Sequence, residues 1–243
     1  MRVSGRGVVT RSLPYGDSRR IVNIYTEEDG MRGFMVRMPR KAGGKVRASF
    51  FFPLSQIEFS YERKTSSEDA LAYLQDIRQA YTYRTLYDDV RKNSMAFFMA
   101  EVLSRCITRS EPDSRFFSWL WNALQDFDAR EKGFADFHLF FLLEIASLLG
   151  VSPRLETDSP YAFFDLREGE FSNERPLYQE FVTGQRVTDL QTLIRVRRES
   201  SGEVFFTREQ RIGLLQTLSD YCRLQAGVSG EFHSLDVLRT LFS

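Results

Sequence analysis

The sequence is poor in the residues that disulfides, zinc sites and nucleophilic catalysis require. Its 243 residues include two cysteines and two histidines. Cys106 and Cys222 lie far apart within apolar helical patterns, so we expect buried thiols and neither a disulfide framework nor a zinc site. His138 and His233 fall in no catalytic motif; we expect the first in the core and the second at the surface or at a helix cap. The sequence therefore argues against an enzyme and against a metal or other cofactor.

Long apolar segments are also missing. The most apolar stretch, residues 134–149, is interrupted by Asp136, His138 and Glu144. It falls short of the roughly 18 apolar residues that a membrane span needs. Residues 1–6 lack the apolar core of a signal peptide. We therefore expect a cytoplasmic protein that does not associate with membranes.

Two possible ligand sites fail on spacing. Gly43, Gly44 and Lys45 lack the hydroxyl residue that follows the lysine of a phosphate-binding loop, which favours a hinge in a basic loop. Acidic residues also cluster between residues 158 and 174, without the spacing of an EF-hand. For them we expect a solvated acidic loop, with a divalent metal site as the alternative. The residues of this cluster are Asp158, Asp165, Glu168, Glu170 and Glu174.

The net charge is zero over the whole chain but not along it. Residues 1–64 contain 13 basic and 6 acidic residues, a net charge of +7, and residues 65–243 carry the compensating −7. A basic module joined to an acidic body is typical of a protein that binds a polyanion, with nucleic acid as the first candidate.

The basic module predicts short strands. β-Branched runs at residues 3–11 and 20–26 flank a turn-forming segment, and further strands are predicted over 31–38, 45–52 and 57–61. Five short strands in this length favour a small closed barrel, because closure leaves no bare strand edge.

From residue 65 the pattern becomes helical. Thr65 and Glu68 have capping-box spacing, and apolar residues then recur at helical intervals over 71–81. Further helices are predicted over 95–107, 116–127, 134–149, 190–198 and 207–222 and near the C-terminus, with a hairpin over 161–171. We therefore predict an α+β chain in two parts: a β-barrel over 1–64, and a mainly helical domain over 65–243 with an irregular insertion around 150–176.

The strongest functional signal is a group of basic residues around one glycine-containing loop and one strand start. Residues 37–47 hold five cations and no acid. We expect phosphate contacts from Arg19, Arg20, Arg37, Arg40, Lys41, Lys45 and Arg47. Stacking platforms could come from Tyr15, Tyr25, Phe34 and Phe50, although each of these also suits the core. The alternative for the basic run is a solvated strand edge that prevents aggregation.

The order of the motifs resembles the RecO family of bacterial DNA repair proteins. Residues 7–30 run from a Gly-Val-Val start through the turn Tyr15-Gly16-Asp17 to an aliphatic strand that ends at Thr26 and an Asp-Gly turn. Residues 149–153 and 234–238 also fit the family pattern. The resemblance implies an N-terminal OB-fold barrel, a helical C-terminal domain and a recombination mediator without enzymatic turnover.

The resemblance also implies partners. It implies that the protein binds single- and double-stranded DNA and anneals complementary strands. It also implies that the protein, together with RecR, helps RecA to displace single-strand-binding protein (SSB). A further implied partner is the acidic C-terminal tail of SSB. Such a protein joins the nucleoid during repair. Many family members carry a cysteine zinc site that residues 154–171 lack, so packed aromatics are expected there. The alternative function is an interaction scaffold whose basic barrel binds an acidic protein.

Overall fold

The structure is a computed structural model that describes residues 1–39, 46–63, 71–108, 111–157, 159–199 and 206–241. Within these ranges the chain forms eight strands and six α-helices. It divides into two compact units, Met1–Arg130 and Glu131–Ser243. The α+β architecture in two parts, with a five-stranded sheet at the N-terminus, is confirmed.

Five strands of the first unit pair in a ring. They are β1 (Arg2–Pro14), β2 (Arg19–Thr26), β3 (Gly30–Arg37), β4 (Gln56–Glu62) and β5 (Ala72–Gln79). The order is β1-β2-β3-β5-β4, and β4 pairs back with β1, so the sheet closes as a barrel. All neighbours are antiparallel except β3 and β5, which run parallel. Closure pairs the edges that an open sheet would expose.

The interior of the barrel is filled by alternate residues of each strand. Val22 and Ile24 of β2 lie beside Phe34 of β3, and all three are fully buried. The Phe34 ring lies 5.4 Å from Phe59 and 5.2 Å from Tyr61, measured between centroids. In these strands every second residue faces the interior, and this alternation is the sequence pattern from which the strands were predicted.

Two helices complete the first unit. They are α1 (Val90–Cys106), which packs against β1, and α2 (Ser114–Ala129). The carboxylates of Asp89 and Asp113 cap their N-termini by accepting backbone N–H groups. The buried Gln56 amide donates to the Trp121 carbonyl over 2.6 Å, which ties β4 to α2.

Two predicted elements of the first unit are wrong. The strand predicted over 45–52 is a 3-10 helix at Ala48–Phe51, where only Phe51 is buried, so the phenylalanine run does not alternate between two faces. The helix predicted over 71–81 is the strand β5. A bulge at Asp76 shifts the register, so Leu74 and Ile77 both face inward although they are three residues apart. That spacing imitates a helix.

The domain limits of 1–64 and 65–243 stay a prediction. The last strand of the barrel, β5, lies after residue 64, and the compact units divide at residue 130. The capping box predicted at Thr65 and Glu68 lies outside the described residues.

The second unit combines helices with a small sheet. Its elements are α3 (Phe137–Leu148), β6 (Phe163–Asp165), β7 (Glu170–Ser172), β8 (Phe181–Thr183), α4 (Gln185–Glu199), α5 (Arg208–Gln225) and α6 (Leu235–Leu241). The predicted hairpin is β6–β7, and its turn contains Gly169 with φ of +69°. The predicted capping box of Thr207 and Gln210 is present at the start of α5.

The rare residues lie where the sequence placed them. Cys106 and Cys222 are buried free thiols. His138 is fully buried in α3, and burial, helped by the charge of Arg211, lowers its pKa to about 3. His233 is exposed. No helix in the described ranges combines the length and apolar character that crossing a bilayer requires.

Candidate nucleic-acid interface

Two of the predicted phosphate contacts meet on the outside of the barrel. Arg19 begins β2 and Arg37 ends β3, and the two residues lie directly opposite each other in the antiparallel ladder. Residues opposite each other share a face of the sheet. Both side chains are exposed. Two guanidinium groups are therefore presented together at one end of neighbouring strands.

Tyr73 of β5 joins this pair. It lies opposite Met35, two residues before Arg37 on β3, and the guanidinium of Arg37 is 4.9 Å from the centroid of its ring. The pKa of the Tyr73 phenol is lowered, chiefly by a hydrogen bond from Arg19. Burial acts in the opposite direction, and a hydrogen bond from Arg37 lowers the pKa further. The three side chains form one group, which we call the Arg19–Arg37–Tyr73 cluster.

A second aromatic ring borders the cluster. Tyr15 lies in the β1–β2 turn, where Gly16 adopts a left-handed backbone with φ of +63° and the Tyr15 amide donates to the Arg19 carbonyl. The Arg19 guanidinium is 5.1 Å from the Tyr15 ring centroid. The Tyr15 and Tyr73 side chains are 48% and 38% exposed, so both rings offer surface for stacking.

The cluster differs from the rest of the barrel in its charge balance. Several other barrel arginines are paired, among them Arg2 with Asp76, Arg6 with Glu27 at 2.7 Å, and Arg78 with Glu58 at 2.7 Å. Arg32 and Arg63 both pair with Asp29. Among the residues that the structure describes, no carboxylate forms an ion pair with Arg19 or Arg37. The cluster therefore contributes positive charge that no described carboxylate compensates.

The other predicted contacts do not join the cluster. Arg20 is half-buried and donates from Nε to Ser12 Oγ over 2.8 Å, which fixes it against β1. Arg47 is exposed immediately before the 3-10 helix. Arg40, Lys41 and Lys45 lie outside the described residues.

The four aromatic residues predicted as stacking platforms also differ in their exposure. Tyr25 and Phe34 are fully buried core residues, Phe50 is half-buried, and Tyr15 alone of the four predicted rings is exposed. Sequence reasoning missed Tyr73 because it assigned that segment to a helix. Burial alternates over residues 72–75 as in a strand, but Leu74 and Ile77 also fit a helical spacing, so the sequence pattern of this segment is ambiguous.

A cleft adjoins the cluster. It has a volume of about 360 Å³ and is lined by Arg37, Val46 and Tyr73 together with residues 74–77 of β5. Arg37 offers a cation for a phosphate and Tyr73 a flat surface for a base, while the Asp76 carboxylate in the same lining is paired with Arg2. In the acidic cluster over 158–174, Asp158 lies outside the described residues, and no group of three metal-ligating side chains occurs among the residues that the structure describes.

Comparison with known proteins places these features in a family. Residues 1–83 match the family model for the N terminal of recombination protein O, and residues 87–234 match the model for its C terminal. The chain belongs to the RecO family. The RecO N-terminal match contains all five strands of the barrel, since β5 ends at Gln79, and it contains the complete Arg19–Arg37–Tyr73 cluster.

Curated RecO proteins resemble the chain over its full length. A protein named DNA repair protein RecO from Phocaeicola vulgatus is 33% identical over 98% of both chains. Proteins of the same name from Bacteroides fragilis and Flavobacterium johnsoniae are each 29% identical, over 97% and 100% of both chains. The RecO resemblance seen in the sequence is therefore confirmed.

Proposed function

We propose that this chain is a DNA repair protein whose barrel binds single- and double-stranded DNA through the Arg19–Arg37–Tyr73 cluster. The proposal extends to annealing of complementary strands, to loading of RecA with RecR on SSB-coated DNA and to binding of the SSB tail. Membership of the RecO family and the names of the relatives support the repair role. The single observation that carries the DNA-binding role is the cluster itself, two exposed arginines without a carboxylate partner among the described residues.

The mechanism is electrostatic. Each arginine that neutralises a phosphate releases condensed counterions, which favours binding most at low salt. Neutralisation also lowers the repulsion between two strands that approach the same surface, so complementary bases can meet. The position agrees with this role, because OB-type barrels bind oligonucleotides on the face of their second and third strands and on the adjoining loops. No covalent step is required.

Replacing Arg19 and Arg37 together by alanine should weaken binding of a labelled single strand and flatten its salt dependence. Each phosphate contact on a single strand contributes about 0.7 to the slope of log K against log salt, so loss of two contacts should reduce the slope by about 1.4. Fluorescence anisotropy of a labelled homopyrimidine strand, titrated over a series of salt concentrations, measures both quantities.

The matched control is the double variant of Arg2 and Arg78 to alanine. It removes two exposed charges from the same barrel, but both are already paired with carboxylates. We expect a nearly unchanged slope for this control. Equal slopes for the two double variants would refute the assignment of the cluster. Absence of binding by the parent protein at low salt would instead favour a scaffold that binds an acidic protein.

Replacing Tyr73 by alanine should weaken single-strand binding without changing the salt slope. Stacking of a base on an aromatic ring contributes about 1–3 kcal/mol and involves no counterion, so the affinity should fall at every salt concentration alike. The same anisotropy titration measures this effect. Tyr73→Phe keeps the ring and should retain most of the affinity. A loss as large in the phenylalanine variant would assign the effect to the hydroxyl group and not to stacking.

A further inference from the structure

The cleft beside the Arg19–Arg37–Tyr73 cluster opens where the pairing between β3 and β5 stops. The last pair of these two parallel strands is Met35 with Tyr73. Arg37 and Gln75 each lie two residues beyond that pair, and both are exposed and line the cleft. Its volume of about 360 Å³ lies at the lower end of the range of ligand pockets, which is about 300–1,000 Å³. The cleft therefore has room for one small planar group and not for a double helix.

The floor of this cleft is apolar. Leu74 and Ile77 are buried members of the barrel core, and Val46 is half-buried and packs against the same core. The Tyr73 ring adds an aromatic wall. Unpaired bases are typically bound by stacking of their faces on aromatic rings and by hydrogen bonds to their edges. The floor and the ring suit the faces of a base, and its edge then requires polar groups at the rim.

Gln75 offers such groups. Within the described ranges its side-chain amide forms no hydrogen bond with another residue. The other glutamine of β5 is engaged, because Gln79 donates its amide to the Tyr81 carbonyl over 3.1 Å. Tyr73 and Gln75 are two positions apart in one strand, so their side chains leave the same face about 6–7 Å from each other. One base can therefore contact the ring with its face and the amide with its edge.

The acid that lines the cleft is already compensated. The Asp76 carboxylate pairs with Arg2 and accepts the Ser60 hydroxyl over 2.7 Å. Arg37 forms no ion pair with a carboxylate in the part of the chain that the structure describes. A phosphate at the rim therefore meets a cation whose charge no described acid neutralises.

A side-chain amide can recognise any base that is unpaired. The amide presents a donor beside an acceptor. The Watson–Crick edge of each base also presents a donor beside an acceptor, in one order or the other, and rotation of the amide matches both orders. In a double helix the partner base occupies that edge, and extrusion of the base costs its pairing and its stacking. The cleft therefore favours an unpaired base without favouring a sequence.

We propose that the cleft holds one unpaired base of a DNA strand, with its face on Tyr73, its edge on the Gln75 amide and its phosphate at Arg37. The inference rests on the proposed DNA binding and adds to it a subsite that a double helix does not occupy. The phosphate contacts of Arg19 and Arg37 serve both kinds of DNA. Gln75 is thus the residue that distinguishes single from double strands.

The test compares the parent protein with Gln75→Met, which keeps an unbranched side chain and removes both hydrogen-bonding groups. A labelled thymine strand should bind the variant about three- to tenfold more weakly, as expected for loss of about one hydrogen bond. The affinity for a GC-rich duplex of the same length should stay unchanged, and so should both salt slopes, because no charge is removed. Fluorescence anisotropy measures these quantities. The control is Gln179→Met, an exposed glutamine of the second unit, which should bind both DNAs like the parent.

A strand that carries difluorotoluene in place of thymine separates the edge contact from stacking. Difluorotoluene keeps the shape of thymine without its hydrogen-bonding groups, so the parent and Gln75→Met should bind this strand equally. The inference is overturned if Gln75→Met weakens duplex binding as much as single-strand binding, if its effect persists on the difluorotoluene strand, or if it binds the thymine strand like the parent. Each of these results leaves the proposed DNA binding intact as long as the parent binds with its salt dependence. Failure of the parent to bind either DNA at low salt would overturn both.

Discussion

Replacing Asp128 by alanine is expected to lower the free energy of unfolding of the first unit by about 3–5 kcal/mol. Asp128 lies near the end of α2 and is 1% exposed. Its carboxylate accepts the backbone N–H groups of Arg84, Thr85 and Leu86 over 2.9, 2.8 and 2.8 Å. Alanine leaves these donors without an acceptor, at about 1–3 kcal/mol for each one that is buried. Urea unfolding followed by tryptophan fluorescence measures the change, because both tryptophans lie in α2.

The same residues hold a buried lysine. Lys92 of α1 donates from Nζ to Thr85 Oγ1, to the Asp128 carbonyl and to the Arg130 carbonyl over 2.6, 2.8 and 2.7 Å. The segment between β5 and α1 is thus tied to both helices, which is why loss of one carboxylate affects the whole unit. Asp126→Ala, an exposed acid two residues away on α2, should change stability by less than about 0.5 kcal/mol. Equal unfolding midpoints for the two variants would refute this account.

The pH dependence of stability provides a second check on Asp128. Burial alone would raise the pKa of this carboxyl group, but the hydrogen bonds from three backbone N–H groups outweigh burial and lower the pKa. The unfolded chain therefore takes up the proton at a higher pH than the folded chain does. The stabilisation is complete above the ordinary aspartate pKa of about 3.9 and disappears as the pH falls through the lower folded value. The stability gap between the parent and Asp128→Asn should stay constant near neutral pH and narrow below about pH 4.

Replacing Phe164 by alanine is expected to destabilise the second unit by about 3–5 kcal/mol. Phe164 of β6 is fully buried, and its ring lies 4.7 Å from Phe171 and 5.4 Å from Tyr221, measured between centroids. Alanine leaves a cavity where β6, β7 and α5 meet. Hydrogen exchange measured by mass spectrometry should show faster exchange in these three elements. Phe163→Ala removes a half-exposed ring from the same strand and should have a clearly smaller effect.

The aromatic packing around Phe164 also bears on metal dependence. Residues 154–171 contain no cysteine, and the described part of the segment is held by rings, by the β6–β7 hairpin and by Asp165. The Asp165 carboxylate accepts Tyr178 Oη–H over 2.7 Å and the Arg167 amide over 2.7 Å. Incubation with a chelator should therefore leave the melting temperature unchanged, and a fall in that temperature would contradict the role given to the rings.

Helices that carry their own signals could be predicted from the sequence. The apolar residues of α3 and the capping box of Thr207 and Gln210 act within a few residues of chain, so local patterns contain the information. The strand β5 could not be predicted in the same way. A bulge at Asp76, formed against β4, sets the inward spacing of Leu74 and Ile77, and that spacing is ambiguous between a strand and a helix.

The candidate interface was also predicted only in part from the sequence. The sequence by itself determined that the positive charge lies in the first 64 residues, and it selected Arg19 and Arg37 as candidates. Only the tertiary structure decided that these two arginines adjoin each other and Tyr73, while Arg2 is paired with Asp76, 74 residues away. The reason is physical: local propensity acts over a few residues, whereas the compensation of a charge depends on which distant strand the closed barrel brings beside it.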